Sequence, residues 1–282
     1  MERLNRVSLL TALLALVLLS AKSAAGQDSG QERFQHSLSL PSGGRLRVEN
    51  YKGKIHIEGW DREEVTVDVY KRFEGRSIAR ARWLNETRVE FHTGINSARI
   101  KVEYPKHDGF WRFHDHDNGE VELIIRAPRR VNLEVDGYKP EMKISSIEGD
   151  IRIDSYKSPI DIQSTTGAIR IDTYKETIKM RDVQIQGHLS VKIYKGEVDI
   201  DAAGIGSGAT FDTYKADVVL RLPESAQISL EVSGNRRANF ESDFPVTMAG
   251  RLGRDEIRGA INGGGPRLRF ETYSGSLVLR RR

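Results

Sequence analysis

Apolar residues recur at every second position along most of this chain. Leu46/Val48, Ile55/Ile57 and Val65/Val67/Val69 are early examples. A period of two places such residues on one face of an extended strand, so these runs predict half-buried strands. Further runs at Thr87–Phe91, Ala98–Tyr104, Val121–Ile125 and Val131–Val135 continue the series. The segment from Ser77 to Leu84 departs from it. Ile78, Ala81 and Leu84 share a helical face and Ser77 is suited to cap, which predicts one short helix over 77–84. From Met142 to Leu222 the strands follow one another almost without pause. Ile151/Ile153, Ile160/Ile162, Ile169/Ile171 and Ile178/Met180 face one way, with Asp and Arg residues alternating on the other side.

One phrase punctuates this text. An apolar residue, a polar residue and a third position lead into Tyr-Lys, and an apolar-x-apolar strand resumes soon after. It is written at Val48–Lys52, Val135–Lys139, Ile153–Lys157, Ile171–Lys175, Val191–Lys195, Phe211–Lys215 and, with Ser274 in the lysine slot, at Phe270–Ser274. Seven of the nine tyrosines occupy this slot. Tyr138, Tyr156, Tyr174, Tyr194 and Tyr214 follow at intervals of 18, 18, 20 and 20 residues, with a second tight turn between each pair.

A repeat this short cannot bury its apolar face alone, whereas stacked coils can, each pairing its backbone with the next at about 4.8 Å. The predicted fold is all-β: a short-coil β-solenoid with an N-terminal β-rich part and one short helix. An antiparallel β-sandwich is the alternative, because alternating strands with tight turns also suit it. The expected layout is a signal peptide at 1–25, a disordered lead-in at 26–36, an N-terminal β-rich part at 37–135, solenoid repeats at 136–222, and closing strands with a cap at 223–282.

These motifs carry a resemblance. Glu148-Gly149-Asp150-Ile151, Thr166-Gly167-Ala168-Ile169 and Tyr273-Ser274-Gly275-Ser276 are turns of the Ser-Gly-Asp type. Ile57-Glu58-Gly59-Trp60-Asp61 is similar to an early strand, and Asp243-Phe244-Pro245-Val246 with Gly263-Gly264-Gly265-Pro266-Arg267-Leu268 to a closing signature, of the bacterial putative-adhesin domain family. From about residue 37 to 280 the chain resembles that family. The resemblance implies a β-solenoid-like fold, an exported or envelope location and no established enzyme activity. Tyr-Lys stands at many turns where the family commonly carries Ser-Gly or Asn-Gly.

The N-terminus changes the reading of compartment. Arg3 and Arg6 precede the apolar run Val7–Leu19, and Ser23-Ala24-Ala25 offers small residues for cleavage, as in a signal peptide. The expectation is an exported chain, periplasmic, cell-surface or secreted, with no transmembrane span after cleavage. The absence of cysteine excludes disulfide staples and thiolate metal sites. Three basic residues and one acid lie in the leader, which lowers the formal +4 to +2 and gives no bulk-charge argument for nucleic acid.

Two constellations carry candidate chemistry. In a parallel solenoid the phrase would stack as a tyrosine column beside a lysine column, with Asp154, Asp172 and Asp212 on the same side as their tyrosines. Tyr138, Lys139, Tyr156, Lys157, Tyr174, Lys175, Tyr194, Lys195, Tyr214 and Lys215 are therefore candidate ligand-binding residues. Aromatic faces would stack on sugar rings and lysines would meet anions. The same column also serves as a stabilising ladder. The insertion from Lys106 to Asn118 is the second: His107, His114 and His116 are candidate metal ligands, and Phe110, Trp111 and Phe113 a candidate contact loop. No cofactor is implied. Gly-x-Ser-x-Gly, phosphate-loop and His-Glu-x-x-His motifs are absent. Together with the family resemblance, this sets the expected function as an exported, non-catalytic, adhesin-like surface module, either binding, with anionic or sugar polymers as ligands, or structural. A β-helical polysaccharide lyase or hydrolase, and an envelope scaffold for protein partners, are the alternatives.

Overall fold

The computed structural model describes residues 31–105, 118–234, 238–248 and 256–282. In chain order the elements begin with β1 (Gln31–Ser39), β2 (Arg45–Trp60), β3 (Glu64–Phe73), α1 (Ser77–Glu86), β4 (Arg88–Thr93), β5 (Ser97–Glu103) and β6 (Gly119–Pro128). Then follow β7 (Asn132–Ser145), β8 (Ile151–Lys157), β9 (Ile160–Gln163), β10 (Thr166–Ile205) and β11 (Ala209–Leu222). The last are β12 (Ile228–Gly234), β13 (Asn239–Ser242), β14 (Thr247–Met248), β15 (Glu256–Ile261), β16 (Arg267–Thr272) and β17 (Ser276–Arg281).

The middle of the molecule is a parallel solenoid. β7 pairs with β8 and β9, both pair with the first coil of β10, and the second coil of β10 pairs with β11, always in parallel. The in-register partners keep the phrase aligned: Ile153 opposite Val135 and Ile171, Asp172 opposite Asp154, Lys195 opposite Lys215. The alternating residues divide as the period of two requires. Val135, Ile144, Ile153, Ile162, Ile171, Met180, Val191, Ile200, Phe211 and Leu220 are all buried. The antiparallel sandwich is thereby excluded for these coils.

Each long strand serves two ladders and turns the corner between them at Tyr-Lys. Arg45–Glu49 of β2 pairs with β5, and Gly53–Trp60 of the same strand with β6. The corner asks for unusual backbone. Gly53 (φ +110°) and Gly196 (φ +154°) follow Tyr-Lys in their coils, and Glu176 holds φ +127° at the same place. A Cβ on Gly53 would sit 2.2 Å from the Val121 carbonyl oxygen, so only glycine fits there.

At both ends, spatial order departs from chain order. β2 lies between β5/β6 and β7. β16 and β17 insert between β11 and the earlier strands β12 and β13. Antiparallel pairs appear at these ends: β1 with β3, β3 with β6, β4 with β5, and β15 with both β12 and β14. A reversed strand ends the stacking of identical coils and limits the open edge that parallel solenoids otherwise present.

Two expectations are corrected here. The lead-in is a strand from Gln31, because its backbone pairs with β3 across the whole of β1 and Leu38 is buried. The short helix forms, over Ser77–Glu86, yet its apolar face is different. Ile78 is 86% exposed, and Trp83 is the buried residue. The indole packs against Phe73 (5.5 Å between centroids), and Gly119 leaves the room it occupies. Trp83 offers far more area to bury than Ile78, which decides the helix orientation. The cap residue is Arg76 rather than Ser77, with no side-chain hydrogen bond.

Candidate functional site

The alternation of β-strand side chains brings the tyrosines outward and the residue before each of them inward. Beneath the column most inward residues are polar and form two hydroxyl pairs, separated by the apolar Ile193. The Ser155 hydroxyl donates to Thr173 Oγ1 at 2.9 Å, and Thr213 donates to Thr272 Oγ1 at 2.8 Å. Thr173, Thr213 and Thr272 are buried, so these hydroxyl pairs also satisfy groups that burial would otherwise leave unpartnered.

Above them stand seven tyrosines in one line: Tyr51, Tyr138, Tyr156, Tyr174, Tyr194, Tyr214 and Tyr273. Successive ring centroids are 4.6–5.0 Å apart and the ring planes differ by 4–10°. The step equals the strand spacing, so the backbone ladder sets it. The column crosses both breaks in chain order, from Tyr51 to Tyr138 and from Tyr214 to Tyr273. At one end Tyr104 stands edge-on to Tyr51, 5.9 Å away. Its hydroxyl donates toward Asn50 Oδ1 and the Lys52 carbonyl, both at 2.7 Å, and burial pushes its pKa well above the usual phenol value.

Two grooves follow one flank of the column. The first, a hollow of 480 Å³, lies among Tyr51, Tyr138 and Tyr156 and the carboxylates Glu49, Asp136 and Asp154. The second, 360 Å³, is bounded by Tyr174, Tyr194 and Tyr214, with Asp172, Lys192 and Asp212. The acids share the tyrosines' side of the strand, as the alternation predicts. Arginines neutralise part of this row. Arg47 meets Glu49 and Asp136, both at 2.8 Å, Arg152 meets Asp154 at 2.8 Å, and Arg269 meets Glu271 at 2.9 Å. Burial, aided by Glu134, Asp154 and Glu49, nevertheless holds the Asp136 carboxyl above its ordinary value against the pull of Arg47.

Lysines form the neighbouring position of the corner. Lys52 is in register with Lys139, Lys157 with Lys175, and Lys195 with Lys215. The Lys157 ammonium lies 5.2 Å from the Tyr156 ring centroid, and that of Lys215 lies 5.6 Å from Tyr214. The edge of the solenoid thus carries acids, tyrosines and lysines as three parallel rows, with Lys192 standing in the acid row and Ser274 at the end of the lysine row.

This geometry brings together all ten Tyr-Lys candidates and adds Tyr51, Lys52 and Tyr273, whose phrases already matched. It corrects the way the rings were expected to work. Interior tyrosines spend both faces on each other, so a sugar ring cannot stack on them; they present edges and hydroxyls instead. Tyr104 carried no repeat signal, since it stands outside the phrase. His107, His114, His116, Phe110, Trp111 and Phe113 lie outside the described residues. Among the described residues, no group of three or more histidines and carboxylates is arranged to hold a metal.

The family model for Toastrack DUF4097 matches residues 44–250. The chain belongs to the Toastrack family. The match spans the column from Tyr51 to Tyr214, and the β-solenoid-like architecture is that of the Toastrack domain. No curated protein matches the sequence. Two crystal structures are similar to this Toastrack chain. One is a putative cell adhesion protein from Clostridium sporogenes, 12% identical, covering 89% of this chain and 100% of its own, with a TM-score of 0.30. The other is a putative adhesin from Bacteroides fragilis, 11% identical, covering 89% and 97%, with a TM-score of 0.46. Among the described residues, no helix of this Toastrack protein is long and apolar enough to cross a membrane.

Proposed function

We propose that the protein is an exported, non-catalytic, adhesin-like module that lays an elongated anionic polymer, such as an acidic glycan, along its Tyr-Lys edge. The observation that carries this reading is the unbroken register of the edge. Tyrosines and lysines stay aligned where the chain departs from its own order, at Tyr51–Lys52 beside Tyr138–Lys139. A row of like charges one strand apart is unfavourable for the fold, by about 1 kcal/mol per neighbouring pair in water near 4 Å and more beside a protein surface. An extended anion would offset that repulsion.

The ring edges suit the same ligand. An aromatic edge is the positive part of its quadrupole, and a phenol hydroxyl is a donor, so both complement anionic oxygen. The signal-peptide pattern in 1–25 supports export, to the periplasm, the cell surface or the medium. The two described grooves are shallow runs beside a regular ladder rather than a cleft walled by long loops, which supports binding over catalysis.

The test is titration of the processed protein with a sulfated or uronic-acid glycan and with a neutral one of equal length. The expected result is binding of the anionic chain that weakens steeply with salt. Replacing Lys157, Lys175 and Lys195 with alanine should weaken it at least tenfold while raising the unfolding temperature slightly, because the like-charge row is relieved. Equal affinity for the neutral glycan, or no loss in the triple variant, would overturn the reading.

A further inference from the structure

We propose that the tyrosine column is a relay for one-electron oxidising equivalents, along which a tyrosyl radical formed at one ring migrates from coil to coil. Six consecutive ring contacts of 4.6–5.0 Å, nearly parallel, join Tyr51 to Tyr273 without a gap. Electron exchange between aromatic groups falls steeply with distance, and van der Waals contact between like rings is the arrangement that favours it. All seven rings are the same phenol, so no step along the line is strongly uphill.

The proton has a route as well. Six of the seven rings are 37–50% exposed, and the seventh, Tyr156, is half-buried. A one-electron oxidant, such as a high-valent metal complex, takes an electron from one phenol, and the phenol proton passes to water, leaving a neutral phenoxyl radical. The adjacent phenol then supplies an electron to that radical and a proton to water, while the first ring recovers a proton. Each hop therefore conserves charge and atoms, and the radical moves by one coil. The chain has no cysteine, so no thiol of its own intercepts the radical.

The line has a defined stop. Tyr104 lies beyond Tyr51, turned to 64°, and its phenol proton is held by two amide oxygens that are too weakly basic to take it. Oxidation therefore halts at Tyr51, short of the buried Trp83, whose ring is 6.2 Å from Tyr104. The proposal is independent of polymer binding, which uses the ring edges and the lysines.

The absence of native cysteine permits a direct test. Ser274 follows the last tyrosine of the column, so Ser274→Cys can carry a ruthenium tris-bipyridine photo-oxidant there. Flash illumination with a cobalt(III) ammine as electron acceptor generates ruthenium(III), and a nitroso spin trap followed by peptide mass spectrometry locates the radical. Adducts are expected at Tyr51, Tyr138 and Tyr156 as well as near the label. The paired change Tyr174→Phe and Tyr194→Phe keeps the rings and removes the oxidisable phenols. It should lower adducts at Tyr51, Tyr138 and Tyr156 at least tenfold while Tyr214 and Tyr273 keep theirs. A purely structural column would not respond to this change, because the stacked rings remain. Adducts confined to Tyr273 and Tyr214 before the change, or undiminished at Tyr51, Tyr138 and Tyr156 after it, would overturn the relay.

Discussion

The coils from β7 to β11 and the two ends of the stack use the same alternation to different effect. In the middle, chain order is spatial order: every strand lies parallel to its predecessor, and equivalent residues stack. At the ends the chain steps outward and returns, strands reverse, and at one end a helix packs Trp83 against Phe73. The middle is built from repetition, and the ends from exceptions that close it. Stability should follow that division, because each coil leans only on its neighbours.

The largest test of the contrast is a cavity in the middle set against one at an end. Phe211 is fully buried with coils on both sides, so Phe211→Ala should cost about 3–5 kcal/mol in denaturant unfolding. Trp83→Ala removes a comparable area, but hydrogen exchange should show protection lost around α1, β3 and β5 and retained in β8 to β11. Uniform loss of protection in both variants would refute the division.

The corner comes next. Gly53→Ala places a Cβ against the Val121 carbonyl at a positive φ, with an expected cost of about 2–4 kcal/mol. Chemical denaturation measures it, and the loss should centre on the junction of β2 with β6.

Smaller effects separate column interior from column end. Tyr174→Ser breaks two stacked contacts and should cost about 1–2 kcal/mol, whereas Tyr273→Ser breaks one stacked contact and should cost roughly half as much. Equal losses on thermal unfolding would mean that the stack itself contributes little.

The smallest concerns Asp136. Its folded pKa is raised, so the folded state favours the protonated carboxyl relative to the unfolded chain. That favourable contribution is present below the unfolded value and is lost as pH rises through the folded one. Asp136→Asn should therefore raise the melting temperature slightly at neutral pH, with no gain in strong acid. A uniform gain at every pH would point to a cause other than ionisation.

Much of the middle was legible because repetition multiplies a weak signal. One Ile-x-Ile run is ambiguous between sheet types, but Ile153, Ile171 and their equivalents at fixed offsets imply stacking, and the tyrosine column follows from it. The ends were less legible for a physical reason. Strands such as β3 and β15 alternate just as parallel ones do, and alternation carries no direction. Tyr51 and Tyr138 share a phrase, yet nothing in the intervening 86 residues says they become neighbours. β1 reads as a polar tail because it packs only one side, and its pairing comes from backbone groups that sequence does not distinguish. The stacked faces of the tyrosines were implicit in the register, but their consequence for sugar binding needed the ring planes.

The insertion of β16 and β17 between β11 and β12–β13 has a bearing on synthesis. Residues 228–234 and 239–242 emerge before residues 267–281, from the ribosome and from an export channel alike, although the later segment lies nearer the centre of the stack. β11 therefore waits with an unfilled edge while its proper neighbour is still being made. The strands made first must stand aside until then. A chaperone that shields a bare strand edge during that interval would serve this protein at one place, the outer rim of residues 209–222.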